Sequence, residues 1–168
     1  DLEKIHKRML ITKYIIDLIN IMETTIMAEA LRTNDLKGMV DSFNSLSDET
    51  KLGLIKNLGC QAKSQFKAKK YKEAKELYFQ IYLVRQSPKD ITNYALCMIH
   101  CKEYKKAVDF LQENPATTPK YYFLLAKALA HESKTMEALE ILTPLVEKYP
   151  DDPSIQKYYK TCMEAKNQ

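Results

Sequence analysis

Small and large apolar positions repeat in a fixed order through the chain. Three segments carry an Ala followed twelve residues later by a second Ala, with aromatic and aliphatic residues at helical spacing around both: Ala62 and Ala74, Ala95 and Ala107, Ala126 and Ala138. Small side chains at the crossing of two antiparallel helices let the backbones approach, while larger neighbours fill the space between hairpins. The spacing therefore predicts three helical hairpins. Their turns fall at Lys69–Lys70, Lys102–Glu103 and Ser133–Lys134, and their second helices open at Tyr71, Tyr104 and Thr135. Successive Ala pairs lie 33 and 31 residues apart, and Pro119 and Pro150 each fall twelve residues after a second Ala. A proline there is expected to end the hairpin, because it removes a backbone donor. Between Ala107 and Pro115 only a short second helix fits, so the middle hairpin should be clipped and its turn unusual.

The ends of the chain read differently. After Pro150, the run Asp151–Asp152–Pro153–Ser154 is a helix start, and Ile155, Tyr158, Tyr159, Cys162 and Met163 form the apolar stripe of a capping helix over 151–168. Residues 1–46 form an N-terminal helical extension that is greasy around most of its circumference, with a narrow polar stripe at Lys13, Asp17, Asn20 and Thr24. Such a helix is buried on more than one side. It packs either across the repeats of its own chain or, through Met9, Tyr14, Ile15, Ile19, Met22 and Ile26, against a partner or a second copy. Asn34 or Asp35 is a candidate cap for a short following helix, and Ser47, Asp48 and Glu49 mark the start of the hairpin region 47–150.

Composition narrows the function. The 168 residues hold 3 Gly and 6 Pro against 45% hydrophobic residues, which suits long helices joined by short turns. The 26 basic and 22 acidic side chains are interspersed without a dense basic block, so no nucleic acid is expected as partner. The most apolar run, Leu10 to Met22, is 13 residues long and contains Lys13, Asp17 and Asn20. That is short of the roughly 20 apolar residues of a membrane span. Cys60, Cys97, Cys101 and Cys162 lack the spacing of a disulfide framework, and no cleavable leader opens the sequence, so an intracellular setting, cytoplasmic or nuclear, is expected.

No glycine-rich phosphate loop, nucleophile turn or paired zinc-ligand spacing occurs, which argues against an enzyme and against any cofactor. The nearest metal constellation is Cys97, His100 and Cys101 on one predicted helix. Without a second cluster, it reads as packing by small thiols, and no metal is expected.

The 33- and 31-residue intervals, the Ala pairs and the prolines together resemble the tetratricopeptide repeat family. That resemblance implies an all-α, right-handed superhelix of about three hairpins, with a long N-terminal helix and a C-terminal capping helix, that holds protein or peptide partners. First helices line the concave surface of such arrays, where ligands usually sit. The groove candidates are Lys56, Lys63 and Phe66, then Lys89, Asn93, Leu96 and Ile99, then Lys120, Phe123 and Lys127. Lysines attract carboxylates and the two phenylalanines offer anchoring area, which suits an acidic or amphipathic peptide. Alternatively, the lysines only keep a solvated face soluble. The clamp with which some family members grip chaperone C-termini is incomplete. Asn93 and Lys120 match it, but Gly59 and Lys63 stand where it has Lys and Asn, and Leu124 where it has Arg.

Two narrower resemblances bear on the partner. Tyr71–Lys72–Glu73–Ala74, Tyr94–Ala95, Ala107 to Leu111, Thr117–Thr118–Pro119, Tyr122 to Lys127, Ser133–Lys134 and Ile141–Leu142 resemble the N-terminal repeats of the scaffold subunits of the anaphase-promoting complex, a ubiquitin ligase of the cell cycle. This implies a non-catalytic, homodimerising assembly module. The size, N-terminal helix and C-terminal helix are also similar to the three-hairpin chaperones of type III secretion, which implies a groove holding an extended translocator peptide.

Overall fold

The structure is a computed structural model that describes residues 2–11 and 36–167. All regular structure among the described residues is helical. Two compact units divide at Cys60–Gln61.

In the first unit, residues 2–11 form α1, and every one of them is exposed, Leu2, Ile5 and Met9 included. Of the self-association candidates, only Met9 lies among the described residues; Tyr14, Ile15, Ile19, Met22 and Ile26 lie outside them, as do Asn34 and Asp35. Helix α2 spans Leu36–Asn44 and α3 spans Asp48–Lys67. Ser47 starts α3 as the sequence suggests: its hydroxyl accepts from the Thr50 N–H at 3.3 Å. Phe43, Leu54 and Leu58 are buried here, with the Lys51 ammonium 5.8 Å above the Phe43 ring.

The second unit holds the end of α3 and six further helices: α4 (Tyr71–Arg85), α5 (Pro88–His100), α6 (Tyr104–Glu113), α7 (Pro119–His131), α8 (Thr135–Lys148) and α9 (Pro153–Lys166). Each helix packs on the next in sequence from α4 to α9, and α5 also packs on α7 and α7 on α9, so first helices form one layer. All six alanines of the repeat are fully buried. The core extends from Ile91 and Met98 through Leu111, Leu124 and Leu129 to Leu142, Ile155 and Cys162.

The three hairpin turns share one geometry. Lys69, Lys102 and Ser133 adopt left-handed backbone with φ of 61°, 61° and 62°. Behind them the N–H groups of Lys70, Glu103 and Lys134 reach back to the carbonyls of Gln65, Met98 and Leu129, each at 2.9 Å. This is the Schellman closure, in which otherwise unpaired carbonyls at a helix end find donors. The middle turn is therefore not unusual. What is unusual lies after it: α6 has 10 residues against 15 in α4 and 14 in α8.

Prolines begin helices here. Ser87–Pro88, Thr118–Pro119 and Asp152–Pro153 each place an oxygen-bearing side chain at the N-cap and proline in the first turn, where its missing N–H costs nothing. Pro119 thus opens α7, correcting the expectation that it ends the preceding hairpin, while Pro150 follows the end of α8. Ser87 and Asp90 form a reciprocal capping box, and the buried Asp90 carboxylate also receives Arg85 Nε at 2.8 Å and Nη2 at 2.6 Å. The clipped end of α6 is tied down by polar contacts. Tyr82 Oη donates to Asn114 Oδ1 at 2.7 Å, and buried Tyr121 Oη donates to the Leu111 carbonyl at 2.6 Å.

Candidate peptide-binding face

The helical periodicity of α5 and α7 brings a row of polar side chains onto the first-helix layer. Lys120, at the start of α7, donates to Asn93 Oδ1 on α5 at 3.0 Å. Desolvation, with the like charge of Lys89 beside it, holds the Lys120 ammonium below its ordinary value. Two turns further along, Lys127 approaches His100. Burial first, then the Lys127 charge, keeps the His100 imidazole below its ordinary value.

Aromatic contacts join successive hairpins at this level. His100 stacks on Tyr71 with ring centroids 4.3 Å apart and meets Phe66 edge-on at 5.2 Å. The arrangement recurs one hairpin later, where Tyr104 stacks on His131 at 4.3 Å. Phe123 packs edge-on against Tyr158 of α9, whose phenol burial pushes up to about 12.

The ten groove candidates thus fall into different environments. Lys89, Asn93 and Lys120 come together at the starts of α5 and α7, and Lys127 lies further along α7 beside His100. Lys63 and Phe66 belong to the last turns of α3, Phe66 half-buried beneath His100, whereas Lys56 lies in the first unit. Leu96 and Phe123 are half-buried against the core. Ile99 is only 5% exposed and offers no surface, because its position on α5 points into the hairpin rather than along the layer. The sequence reading missed His100 and Tyr71 as members of this face. Their signal was present, a histidine two helical turns from Asn93 on α5, but the stack crosses between hairpins and so needed coordinates.

Ion pairs gather on α4 and α6 and at the start of α5. Lys75 and Lys106 both pair with Glu103, and Lys105 pairs with Asp109 at 3.0 Å. Among the described residues, Lys63, Lys89, Lys120 and Lys127 have no carboxylate within ion-pair reach. The Cys97, His100, Cys101 constellation is dispersed into packing. Cys97 is fully buried, with desolvation pushing its thiol up to about 12, and the His100 ring is taken up by Tyr71 and Phe66. No group of three or more metal-ligating side chains gathers among the described residues. No helix among them is long and apolar enough to cross a membrane.

Comparison with known proteins supplies the fold context. No protein-family model matches the sequence, and no curated protein matches it. Solved structures do. The first tetratricopeptide domain of Spaghetti (RPAP3), bound to the HSP90 peptide SRMEEVD, is similar at 19% identity with a TM-score of 0.61, over 68% of this chain and 94% of that one. The translocator chaperone SycD of Yersinia enterocolitica is similar at 16% identity with a TM-score of 0.61, over 74% of this chain and 99% of that one. The TPR2AB domain of yeast Sti1, in a complex with HSP90, gives 13% identity and a TM-score of 0.57, over 88% and 71%. With the repeated Schellman turns, the buried repeat alanines and these neighbours, the chain has the tetratricopeptide-like helical-repeat fold.

Proposed function

We propose that this chain is a non-catalytic protein-interaction module whose first-helix face captures an acidic segment of a partner protein. The observation that carries the reading is the gathering of cations without carboxylates along the first helices α5 and α7. Lys120 lies beside the like charge of Lys89 and donates to Asn93, Lys127 lies beside His100, and none of the three lysines has a carboxylate partner among the described residues. Like charges held side by side raise the free energy of the empty face, and a carboxylate between them relieves that repulsion. The half-buried rings of Phe66 and Phe123 border the same layer and give an apolar residue of the partner somewhere to rest. Acidic-peptide capture fits the fold neighbours too, since the RPAP3 domain is bound to a peptide ending in Glu-Glu-Val-Asp.

A peptide array varying acidic and leucine positions tests this, read with the intact chain and with a Lys120→Glu, Lys127→Glu variant of unchanged helicity. Acidic spots should bind the parent, weaken as salt shortens the screening length, and be lost in the variant. Binding that ignores peptide charge, or survives the double substitution, refutes it.

The finer reading is an assembly or self-association subunit of a larger complex such as the anaphase-promoting complex. It rests on the sequence of residues 71–142 and the greasy 1–46 extension, and the short α6 suits it. Co-purification from native cells identifies the assembly, and light scattering at tens of micromolar showing only monomer counts against self-association. The second reading, a secretion chaperone, is favoured by the likeness to SycD, one structure of which holds a peptide of the translocator YopD. It predicts capture of apolar peptides that Phe66→Ala and Phe123→Ala abolish.

A further inference from the structure

The shortened α6 leaves a gap beside the third hairpin that none of Lys89, Lys120 and Lys127 lines. Aligning Ala107 with Ala138 sets the last residue of α6, Glu113, level with Pro144, so the final turn of α8 has no counterpart in α6. Beside that turn the loop into α7 leaves a cavity of about 420 Å³. Thr117, Pro119 and Tyr122 form one wall and Ile141, Pro144 and Tyr149 the other. Leu145 is buried beneath, and Tyr122 stays 37% exposed at the mouth. That volume lies within the range of roughly 300–1,000 Å³ typical of sites that enclose a ligand group.

Its polar groups are few and of opposite sign. Glu140 and Lys148 both line the cavity, eight residues apart on α8, which at about 1.5 Å per residue separates them by roughly 12 Å along the axis. Glu140 has no ion-pair partner among the described residues, and the Lys148 ammonium sits 5.6 Å over the Tyr149 ring. Pro144 has no N–H, so the Glu140 carbonyl lacks its usual helical donor and adds an acceptor beside the carboxylate. Prolines and tyrosines on the walls present flat faces of the kind that receive a prolyl ring or a branched aliphatic side chain.

We propose that this cavity is a second peptide-recognition site, separate from the lysine face, seating one proline or branched aliphatic residue between a basic residue held by Glu140 and an acidic residue held by Lys148. An extended peptide advances about 3.3 Å per residue, so the two charges fall about four residues apart with the apolar anchor between them. Charge complementarity selects this occupant over a lipid surface, because a site bearing one charge of each sign gains nothing from a uniformly anionic headgroup layer.

Selection of a phage-displayed random peptide library tests it. The bait is the full chain carrying Lys120→Glu and Lys127→Glu, so that the outcome does not depend on the lysine face. Enriched peptides should share the order basic, apolar, acidic. Ile141→Asp should weaken them by about tenfold or more, as for a central contact residue. The surface substitution Glu140→Lys should reverse the preference at the basic end while leaving helicity and Tm unchanged. No enrichment, or enriched peptides that bind the Glu140→Lys chain equally well, overturns the proposal. So does self-association that Ile141→Asp abolishes in light scattering, since the occupant is then a second copy.

Discussion

Replacing Asp90 by asparagine isolates the joint between the first and second hairpins. The carboxylate is 2% exposed, takes two hydrogen bonds from Arg85, and accepts from the Ser87 backbone at 3.1 Å and its hydroxyl at 2.7 Å. Asparagine keeps the shape and one acceptor but loses the charge. Breaking a buried pair costs about 3–5 kcal/mol, and loss of a cap about 1 kcal/mol. The Arg85 side chain is 42% exposed and recovers water, which offsets part of that cost, so a net loss of about 2–3 kcal/mol is expected. In a chain of this size that lowers Tm by roughly 5–10 °C. The pH dependence carries a second signature. Burial alone would raise the Asp90 carboxyl, but hydrogen bonds from Arg85 and Ser87 outweigh it and hold the group below its ordinary 3.8. A lowered folded value means the stabilisation is complete above pH 3.8 and is lost as pH falls through the folded value. Urea unfolding followed by circular dichroism at neutral and acid pH reads both effects. A variant within about 0.5 kcal/mol of the parent at neutral pH, or with the same acid dependence, refutes the assignment.

Four further substitutions test other parts of the fold. Ser133→Gly relieves a left-handed backbone strain of roughly 1–2 kcal/mol but loosens the unfolded chain, so a gain of up to about 1 kcal/mol in urea unfolding is expected. Gly53→Ala and Gly59→Ala meet nothing within 4 Å of the new methyl group in the interior of α3. Each should raise stability by about 0.5–1 kcal/mol. Tyr121→Phe removes the donor to the Leu111 carbonyl at the buried end of α6 and should cost about 1–3 kcal/mol, with amide exchange quickening first around residues 111–118.

The repeat was legible because its signals are local. An alanine that admits a neighbouring backbone, and a turn whose length is set by helical geometry, leave the same mark at 33 and 31 residues wherever they occur. Tyr71, Tyr104 and Thr135 open their helices where that spacing places them. Pro119 was misread because proline stops one helix and starts the next with the same chemistry. The choice depends on the hydroxyl of Thr118, which accepts from the Tyr121 N–H at 3.3 Å. Among candidate site residues, surface periodicity assigns Lys89, Asn93, Lys120 and Lys127 to α5 and α7, but Ile99 turns inward where α6 and α7 press on α5.

What the residue order settles for this protein is the helical class, the hairpin count and the short middle helix, since each follows from contacts within about one repeat. Only tertiary packing decides which lysines are left without carboxylates, which aromatic rings bridge successive hairpins, and where the clipped α6 opens a cavity. Those properties depend on side chains some thirty residues apart being brought within a few ångströms, as in Lys120 with Asn93 or Tyr71 with His100, and no one-dimensional pattern encodes such distances.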